Sequence, residues 1–214
     1  MQADLFFSFR SPYSYLATPL LRKVVEEWEV ELHLRVMMPL ALRQPTFFKT
    51  ANPLLPFYIL RDSMRIAEYH GIPYSWPQPD PVVQDPGTLT VAEEQPYIHR
   101  LTRLGACDAE EGDGFRFACE VAQTIWSGRI QGWDEGTHLA EAASRAGFEL
   151  SQLDAKIEHS PDTYDDLIEA NHRALKEAGQ WGVPTLVYND EPFWGQDRID
   201  VFLWRLRQNG LERR

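Results

Sequence analysis

The chain has 214 residues, 43% hydrophobic and 12% aromatic, so it can bury a sizeable core and is predicted to be globular rather than disordered. Its 21 basic and 32 acidic residues give a formal net charge of -11, which argues against a nucleic-acid partner because phosphate backbones bind basic surfaces. No apolar run reaches the length of a membrane span, and no basic segment followed by an apolar stretch lies near residue 1. We therefore expect no membrane partner and a cytoplasmic protein.

The first forty residues have the pattern of a strand, a helix and a second strand. Residues 5–9 are apolar, residues 12–28 carry helical periodicity, and residues 30–37 alternate in part. Two strands joined by a helix of this length predict a right-handed βαβ unit with parallel strands.

From residue 41 to about 180 the pattern is helical, with no convincing strand. Two proline-rich stretches, 44–57 and 73–87, predict irregular connections. The predicted helices are 58–70, 91–104, 114–127, 136–146, 151–157 and 163–178.

The only two cysteines, Cys107 and Cys119, lie in this helical segment and do not have the spacing of metal ligands. We predict no metal site. In the cytosol a buried, reduced pair is expected, and a regulatory disulfide is the alternative.

Sheet-forming sequence returns at residues 185–188. A turn at Asn189-Asp190, a strand at 192–194 and a final helix from 199 to about 207 follow. This order of elements is the layout of a thioredoxin-like fold, an α/β fold, with a long all-helical insertion in its middle. The predicted thioredoxin-like domain comprises residues 1–40 and 181–214 together with helix 163–180, and the inserted helical domain comprises residues 41–162.

The junction of the first strand and the first helix has the sequence Ser11-Pro12-Tyr13-Ser14. A serine before a proline is a strong helix start, because serine caps free N–H groups and proline fits the first turn. The sequence therefore places a hydroxyl at a helix N-terminus, where the free N–H groups and the dipole favour an anion. A plain helix cap is the alternative interpretation.

A second signal is Gly182-Val183-Pro184-Thr185, which resembles the cis-proline loop of thioredoxin-like proteins. A cis bond at this place leaves the backbone N–H and C=O of Val183 facing outward, able to pair with an extended, peptide-like ligand. An ordinary trans proline at the start of an edge strand is the alternative.

Redox-active thioredoxin-like proteins begin their first helix with C-x-x-C, and S-x-x-S stands in that place here. Serine forms no disulfide, so we predict no dithiol exchange. A hydroxyl at a helix N-terminus still suits a thiolate that a ligand brings in. The obvious soluble thiol is glutathione, a tripeptide that can pair with the Val183 backbone.

The third signal is Asp197, in the segment that opens the last helix. Helix N–H groups receive a carboxylate, and Asp197 accepts a hydrogen bond from an ammonium group. The γ-glutamyl end of glutathione carries one group of each kind. A capping residue beside a surface Arg198 is the alternative.

The segments FFSFRSPYSYLA and WGVPTLVYNDEPFWGQDRID resemble the 2-hydroxychromene-2-carboxylate isomerases and the kappa-class glutathione transferases, in the DsbA-like branch of the thioredoxin fold. The helical middle is similar too, since Asp62, Arg65 and Ala67 followed by His70-Gly71-Ile72-Pro73 match that family's D-x-x-R-x-A…G-I-P segment. The resemblance covers essentially the whole chain.

The resemblance implies glutathione as the cofactor and a role for each matching residue. Ser11 would hydrogen-bond the glutathione sulfur and is the implied catalytic residue. Val183, beside Pro184, would pair with the cysteinyl backbone. Gln196 and Asp197 would hold the γ-glutamyl end.

On the substrate side, the resemblance implies that Asn52 faces the active site and that Tyr58 lies nearby. Phe9, Tyr13 and Trp194 would help to wall an apolar substrate pocket. A homodimer is possible, because dimers are common among the relatives.

Two positions depart from the family pattern. Ser8 stands where the family usually has an acidic residue in the first strand, and Leu55-Pro56-Phe57 stands where it tends to place a basic residue before Tyr58. That basic group would hold a substrate carboxylate, so its loss bears on the chromene-carboxylate substrate and not on the glutathione site. Lys49 is a candidate replacement, although a surface lysine is the ordinary interpretation.

The implied activity is a thiol-assisted cis–trans isomerisation of an aromatic or related electrophilic small molecule, in which glutathione is regenerated. A kappa-class-like transferase, which leaves the sulfur on the product, is one alternative. A non-catalytic thioredoxin-fold binding module is the other.

Overall fold

The computed structural model describes residues 1–214 apart from the side chain of Glu111. None of the described helices combines the length and the apolar character of a membrane span. In chain order the elements are β1 (Gln2–Phe7), α1 (Pro12–Glu27), β2 (Glu31–Val36), α2 (Leu40–Arg43), α3 (Phe47–Thr50), α4 (Leu54–His70), α5 (Ile98–Glu111), α6 (Gly114–Trp126), α7 (His138–Ala146), α8 (Leu150–His159), α9 (Pro161–Glu177), β3 (Thr185–Tyr188), β4 (Glu191–Trp194), a short 3-10 helix (Gln196–Arg198) and α10 (Ile199–Gln208).

The four strands form one mixed sheet in the order β2-β1-β3-β4. β1 pairs in parallel with β2, where Leu5 faces Leu34, and antiparallel with β3, where Leu5 faces Leu186. β3 and β4 form a hairpin whose turn residues, Asn189 and Asp190, have φ angles of 49° and 62°, a backbone that these residue types tolerate. The sheet and its helices confirm the predicted thioredoxin-like α/β fold with a helical insertion.

The predicted elements differ from the structure mainly at their ends. β1 stops two residues early because the chain turns where the Ser11 N–H donates to the Ser8 carbonyl at 3.0 Å. α5 begins at Ile98 rather than at residue 91, because Val91 forms an isolated β-bridge with Gln84. The short helix α3 and the start of α4 lie in the proline-rich stretch that the sequence predicts to be irregular.

One hydrophobic core joins the sheet to the helices. It contains Leu5 of β1, Leu16 of α1, Val36 of β2 and Trp126 of α6, each exposed by 1% or less. These buried side chains are continuous across the proposed boundary near residue 41, so the division into two domains stays a prediction.

Glu120 of α6 lies at the centre of a charge cluster that joins α1, α6 and α7. Its carboxylate accepts hydrogen bonds from Arg22 at 2.6 Å and from Arg145 at 2.7 Å. Burial alone raises the pKa of this carboxyl, but the two guanidinium groups outweigh burial and hold the pKa below its usual range. The ionised carboxylate therefore stabilises the fold above its unfolded pKa, and this contribution is lost as the pH falls through the folded pKa.

Glu120→Gln is expected to lower the free energy of unfolding by about 2 kcal/mol at neutral pH, because two arginines lose their charged acceptor. Urea denaturation measures the change, which should shrink at acidic pH, because protonation of Glu120 as the pH falls through its folded pKa removes the carboxylate from the wild type as well. Glu26→Gln removes an exposed carboxylate on α1 and is the matched control, with a change within about 0.5 kcal/mol. An equal loss at both pH values would contradict the charge argument.

Candidate active site

Residues 8–14, which we call the serine corner, connect β1 to α1. Ser11 caps α1: its Oγ accepts a hydrogen bond from the Ser14 N–H at 3.2 Å, and Pro12 takes the first helical position. The same Oγ lies 3.5 Å from the carbonyl oxygen of Val183. Ser11 is half-buried, whereas Ser14 is fully buried. A partly exposed hydroxyl thus lies at a helix N-terminus, where an anion is favoured.

The Val183–Pro184 peptide bond is cis, as the sequence predicts. Val183 is half-buried, and β3 follows the loop directly. Within the part of the chain that the structure describes, the Val183 N–H meets no acceptor. This backbone group is therefore open to an extended ligand that pairs with the loop as a strand would.

Asp197 lies in the 3-10 helix that leads into α10. Its carboxylate accepts a hydrogen bond from Arg198 at 2.8 Å, and both side chains are more than half exposed. Gly195, just before this turn, has a φ of 106°, a conformation that favours glycine. Its N–H donates to the Pro184 carbonyl at 2.9 Å. The turn of Asp197 is thereby fixed beside the cis-proline, so the three sequence signals meet in space.

The serine corner is held from the helical segment by contacts that the sequence analysis missed. Trp126 of α6 donates its indole N–H to the Phe9 carbonyl at 2.7 Å. Arg10 forms two hydrogen bonds with Asp80, at 3.1 and 3.0 Å, and lies 4.9 Å from the ring centroid of Trp76. The Trp76 indole N–H also donates to Asp80. Because Arg10 and Asp80 lie 70 positions apart in sequence, and Phe9 and Trp126 lie 117 positions apart, no local pattern could have revealed these two contacts.

Tyr13, inside the serine corner, donates its hydroxyl to Asp62 of α4 at 3.0 Å. Burial and then Asp62 raise the pKa of Tyr13 well above its ordinary value. Tyr58, also on α4, raises the pKa of Tyr13 further, and its own side chain is 57% exposed. The Tyr13 hydroxyl proton is therefore held by Asp62.

The remaining predicted substrate residues do not form one pocket. Asn52 is exposed, and its Oδ1 accepts from the Leu54 N–H at 3.0 Å at the start of α4. Trp194 is 46% exposed. Phe9 is only 1% exposed and packs edge-on against Phe7. The expected place of Phe9 in the pocket wall is therefore corrected: it supports the serine corner from the core.

Trp194 belongs to a strip of aromatic rings along the outside of the cis-proline loop. Its ring centroid lies 5.3 Å from that of Trp181, which lies 5.5 Å from that of Phe47 on α3. Trp194 also packs closely on Gly182, where a Cβ would come within 2.4 Å of the indole nitrogen. Trp181 and Phe47 were not among the predicted residues. They extend the apolar surface that borders Val183.

The apolar substrate pocket that the resemblance implies stays a prediction. The space beneath Pro184, against Leu5 and Phe193, has no room for a water molecule. An open groove of about 550 Å³ lies along α4 but shares no lining residue with the serine corner or the cis-proline loop. Its lining residues are Arg61, Met64, Arg65, Ala67, Glu68, Ile72 and Tyr74.

Both cysteines are buried, as predicted. Burial raises the pKa of the Cys119 thiol to about 12, so this thiol stays protonated and is a poor nucleophile. Cys107 lies with its Sγ 3.4 Å from the Tyr164 hydroxyl. Among the described residues, no group of three or more His, Cys, Asp or Glu side chains is placed to hold a metal ion.

A family model, the DSBA-like thioredoxin domain, matches residues 2–207. The 2-hydroxychromene-2-carboxylate isomerase of Pseudomonas putida is 25% identical over 208 residues, which cover 93% of this chain and 91% of that protein. Glutathione S-transferase kappa 1 of Homo sapiens is 24% identical, with 92% and 87% covered.

Solved structures give the same fold. A 2-hydroxychromene-2-carboxylate isomerase superimposes with a TM-score of 0.71 at 23% identity, covering 98% of each chain. The cytosolic disulfide reductase DsbM from Pseudomonas aeruginosa, solved with GSH, gives a TM-score of 0.60 at 17% identity, covering 97% of this chain and 100% of that one.

Gly182→Ala is expected to lower the free energy of unfolding by about 1–3 kcal/mol, because the added methyl group must displace the Trp194 indole. Urea denaturation measures the cost, and tryptophan fluorescence reports the displacement. In a Trp194→Leu background the same substitution should cost clearly less, since the obstructing ring is gone.

Gly87→Ala is the control for this series, because the nearest atom to its Cβ lies at an ordinary 3.4 Å. Its stability should change by no more than about 0.5 kcal/mol. A cost for Gly182→Ala that persists unchanged without the Trp194 ring would show that the indole is not the obstacle.

Proposed function

Because the chain belongs to the DsbA-like thioredoxin family, we propose that it is a glutathione-dependent isomerase of an aromatic or related electrophilic compound. The observation that carries this proposal is the meeting of the Ser11 hydroxyl, at the N-terminus of α1, with the cis-proline loop at Val183. The relatives support it, since they are named as 2-hydroxychromene-2-carboxylate isomerases and a kappa-class glutathione transferase.

The groups present fit glutathione. The unpartnered Val183 N–H is the kind of donor that a cysteinyl carbonyl requires. Gln196 and Asp197, at the turn into α10, offer N–H groups and a carboxylate for the γ-glutamyl end. The Ser11 contact to Val183 is long, at 3.5 Å, so the hydroxyl is free to rotate toward a sulfur.

The residues of this chain have two roles, which are ligand binding and charge stabilisation. When bound, glutathione would supply a thiolate nucleophile for reversible addition to an activated double bond. Ser11 donates a hydrogen bond to the sulfur, and the N-terminus of α1 favours its negative charge, so the thiol pKa falls below its ordinary value of about 8.5. Val183 orients the cysteinyl backbone, and Asp197 holds the ammonium group.

The second candidate is a kappa-class-like transferase, which would leave the sulfur on its product. The same thiolate site serves both reactions. The similarity to glutathione S-transferase kappa 1 supports this candidate. Asn52, Tyr58 and Tyr13 remain proposed contacts for the electrophile in either case.

We also propose that the chain does not carry out dithiol–disulfide exchange. Ser11 and Ser14 stand where the two thiols would act, and serine cannot form a mixed disulfide. Cys107 and Cys119 are buried elsewhere in the helical segment. The expected homodimer and cytoplasmic location stay predictions.

Ser11→Ala is expected to lower turnover by about 10²- to 10³-fold, since it removes a hydrogen-bond donor to the developing charge. Glutathione affinity should change by only a few-fold, and the pKa of the bound thiol should rise toward about 8.5. Steady-state kinetics, calorimetry and the pH dependence of thiolate absorbance measure these three quantities.

Ser11→Gly is the control for this variant, because glycine loses the hydroxyl while costing a helix cap only a few tenths of a kcal/mol. It should repeat the loss of turnover seen with alanine. Turnover that survives in both variants would remove Ser11 from the mechanism.

Asp197→Asn is expected to weaken glutathione binding about tenfold or more, because the ammonium group loses a charged acceptor. Calorimetry measures the change. Asp190→Asn, an exposed carboxylate in the β3–β4 turn, is the matched control and should bind as the wild type does. If neither the wild type nor any variant binds glutathione, the enzyme proposal fails and a non-catalytic binding module remains.

A further inference from the structure

Arg43, the last residue of α2, bridges two segments that flank the candidate site. Its Nε donates to the Met38 carbonyl at 2.9 Å, and one terminal nitrogen donates to the Trp181 carbonyl at 3.0 Å. Trp181 lies two residues before Val183 in the cis-proline loop. The guanidinium is thus attached to the loop that the proposed ligand pairs with.

Most arginines of this chain that are held in the fold face a carboxylate, and Arg43 does not. Arg10, Arg22 and Arg145 each pair with Asp or Glu. Among the described residues, no carboxylate lies within salt-bridge distance of Arg43, whose two recorded partners are neutral carbonyl groups. Burial lowers the pKa of Arg43, and the opposing effect of the Glu169 carboxylate, which is not within salt-bridge distance, does not offset it.

The direction of the proposed ligand brings one of its ends to Arg43. Asp197, which takes the γ-glutamyl end, is fixed on the C-terminal side of Val183 by the hydrogen bond from Gly195 to Pro184. An extended peptide that pairs with Val183 therefore points its other end back along the loop, toward Trp181. Two residues of extended chain span about 7 Å, which is the reach from the cysteinyl residue to a glycyl carboxylate.

We propose that Arg43 binds the glycyl carboxylate of glutathione, with the guanidinium held in place by the Met38 and Trp181 carbonyl groups. Arginine has five N–H donors, and the two recorded bonds leave three for a ligand. Such a planar group suits a carboxylate. This inference rests on the proposed glutathione site and adds a residue to it that neither the motifs nor the family pattern indicated.

A second cation, Lys49, must be distinguished from Arg43. Lys49 is the candidate that the sequence offers, but it lies on the exposed side of α3 and no ion pair or hydrogen bond of its side chain is recorded among the described residues. Arg43 is a cation already attached to the cis-proline loop. Binding by Arg43 and binding by Lys49 predict different effects of mutation, so an experiment can distinguish them.

The test compares glutathione with its glycyl ethyl ester, in which an ethyl ester replaces the negatively charged glycyl carboxylate, by calorimetry on the full chain. The wild type should bind free glutathione about tenfold or more tightly than the ester. Arg43→Gln should bring this ratio close to one, because the variant has no guanidinium to distinguish the free carboxylate from the ester. Arg43→Lys, which keeps the charge, should retain a clear preference for the free acid.

Lys49→Gln is the matched control and should keep the wild-type ratio. The inference is overturned if Arg43→Gln weakens both ligands by the same factor, as a purely structural tie to Trp181 would, or if Lys49→Gln abolishes the preference instead. It is also overturned if the wild type binds both ligands equally, while glutathione binding itself stands. A wild type that binds neither ligand contradicts the proposed function, and that result is distinguishable from every other one.

Discussion

The attachment of the serine corner to the helical segment is the constraint on which the site depends. β1 alone places Ser11 beyond the carboxyl end of a central strand, but it does not fix the turn that orients the hydroxyl. That turn is held on one side by the indole of Trp126 and on the other by the ion pair of Arg10 with Asp80. A displacement of about 1 Å is enough to lose the geometry of a reacting group. The helical segment therefore positions the site.

The candidate site contains groups that favour negative charge, although the protein is strongly acidic. The net charge of -11 acts at long range, and salt screens its effect beyond about 8–10 Å. The N-terminus of α1, the Ser11 hydroxyl and the exposed backbone of Val183 act at contact distance. Arg43 adds a single charge at the far end of the same loop. Local groups of this kind explain how an acidic chain can hold an anionic ligand.

Some predicted residues lie where the sequence places them and others do not, and the reasons are physical. Ser11, Pro184 and Asp197 lie where the sequence places them, because a cap, a cis-proline turn and a helix start are local structures set by neighbouring residues. Phe9 is buried instead of lining a pocket, because only the packing of the core decides which side of the corner faces inward. Trp181 and Arg43 were not predicted for the same reason. A single arginine and a single tryptophan form no recognisable sequence motif, and only the fold places them beside each other.

By itself, the sequence determined the order of strands and helices, the serine cap of α1 and the absence of thiols from the corner where a redox centre would lie. These features follow from periodicity, from turn chemistry and from the identity of single residues. Only the tertiary structure decided how the two ends of the chain meet, with Ser11 Oγ 3.5 Å from the Val183 carbonyl, and that Phe9 faces the core. Contacts across more than 170 positions depend on how the sheet closes and how the core fills, and neither property is encoded in any local stretch of the chain.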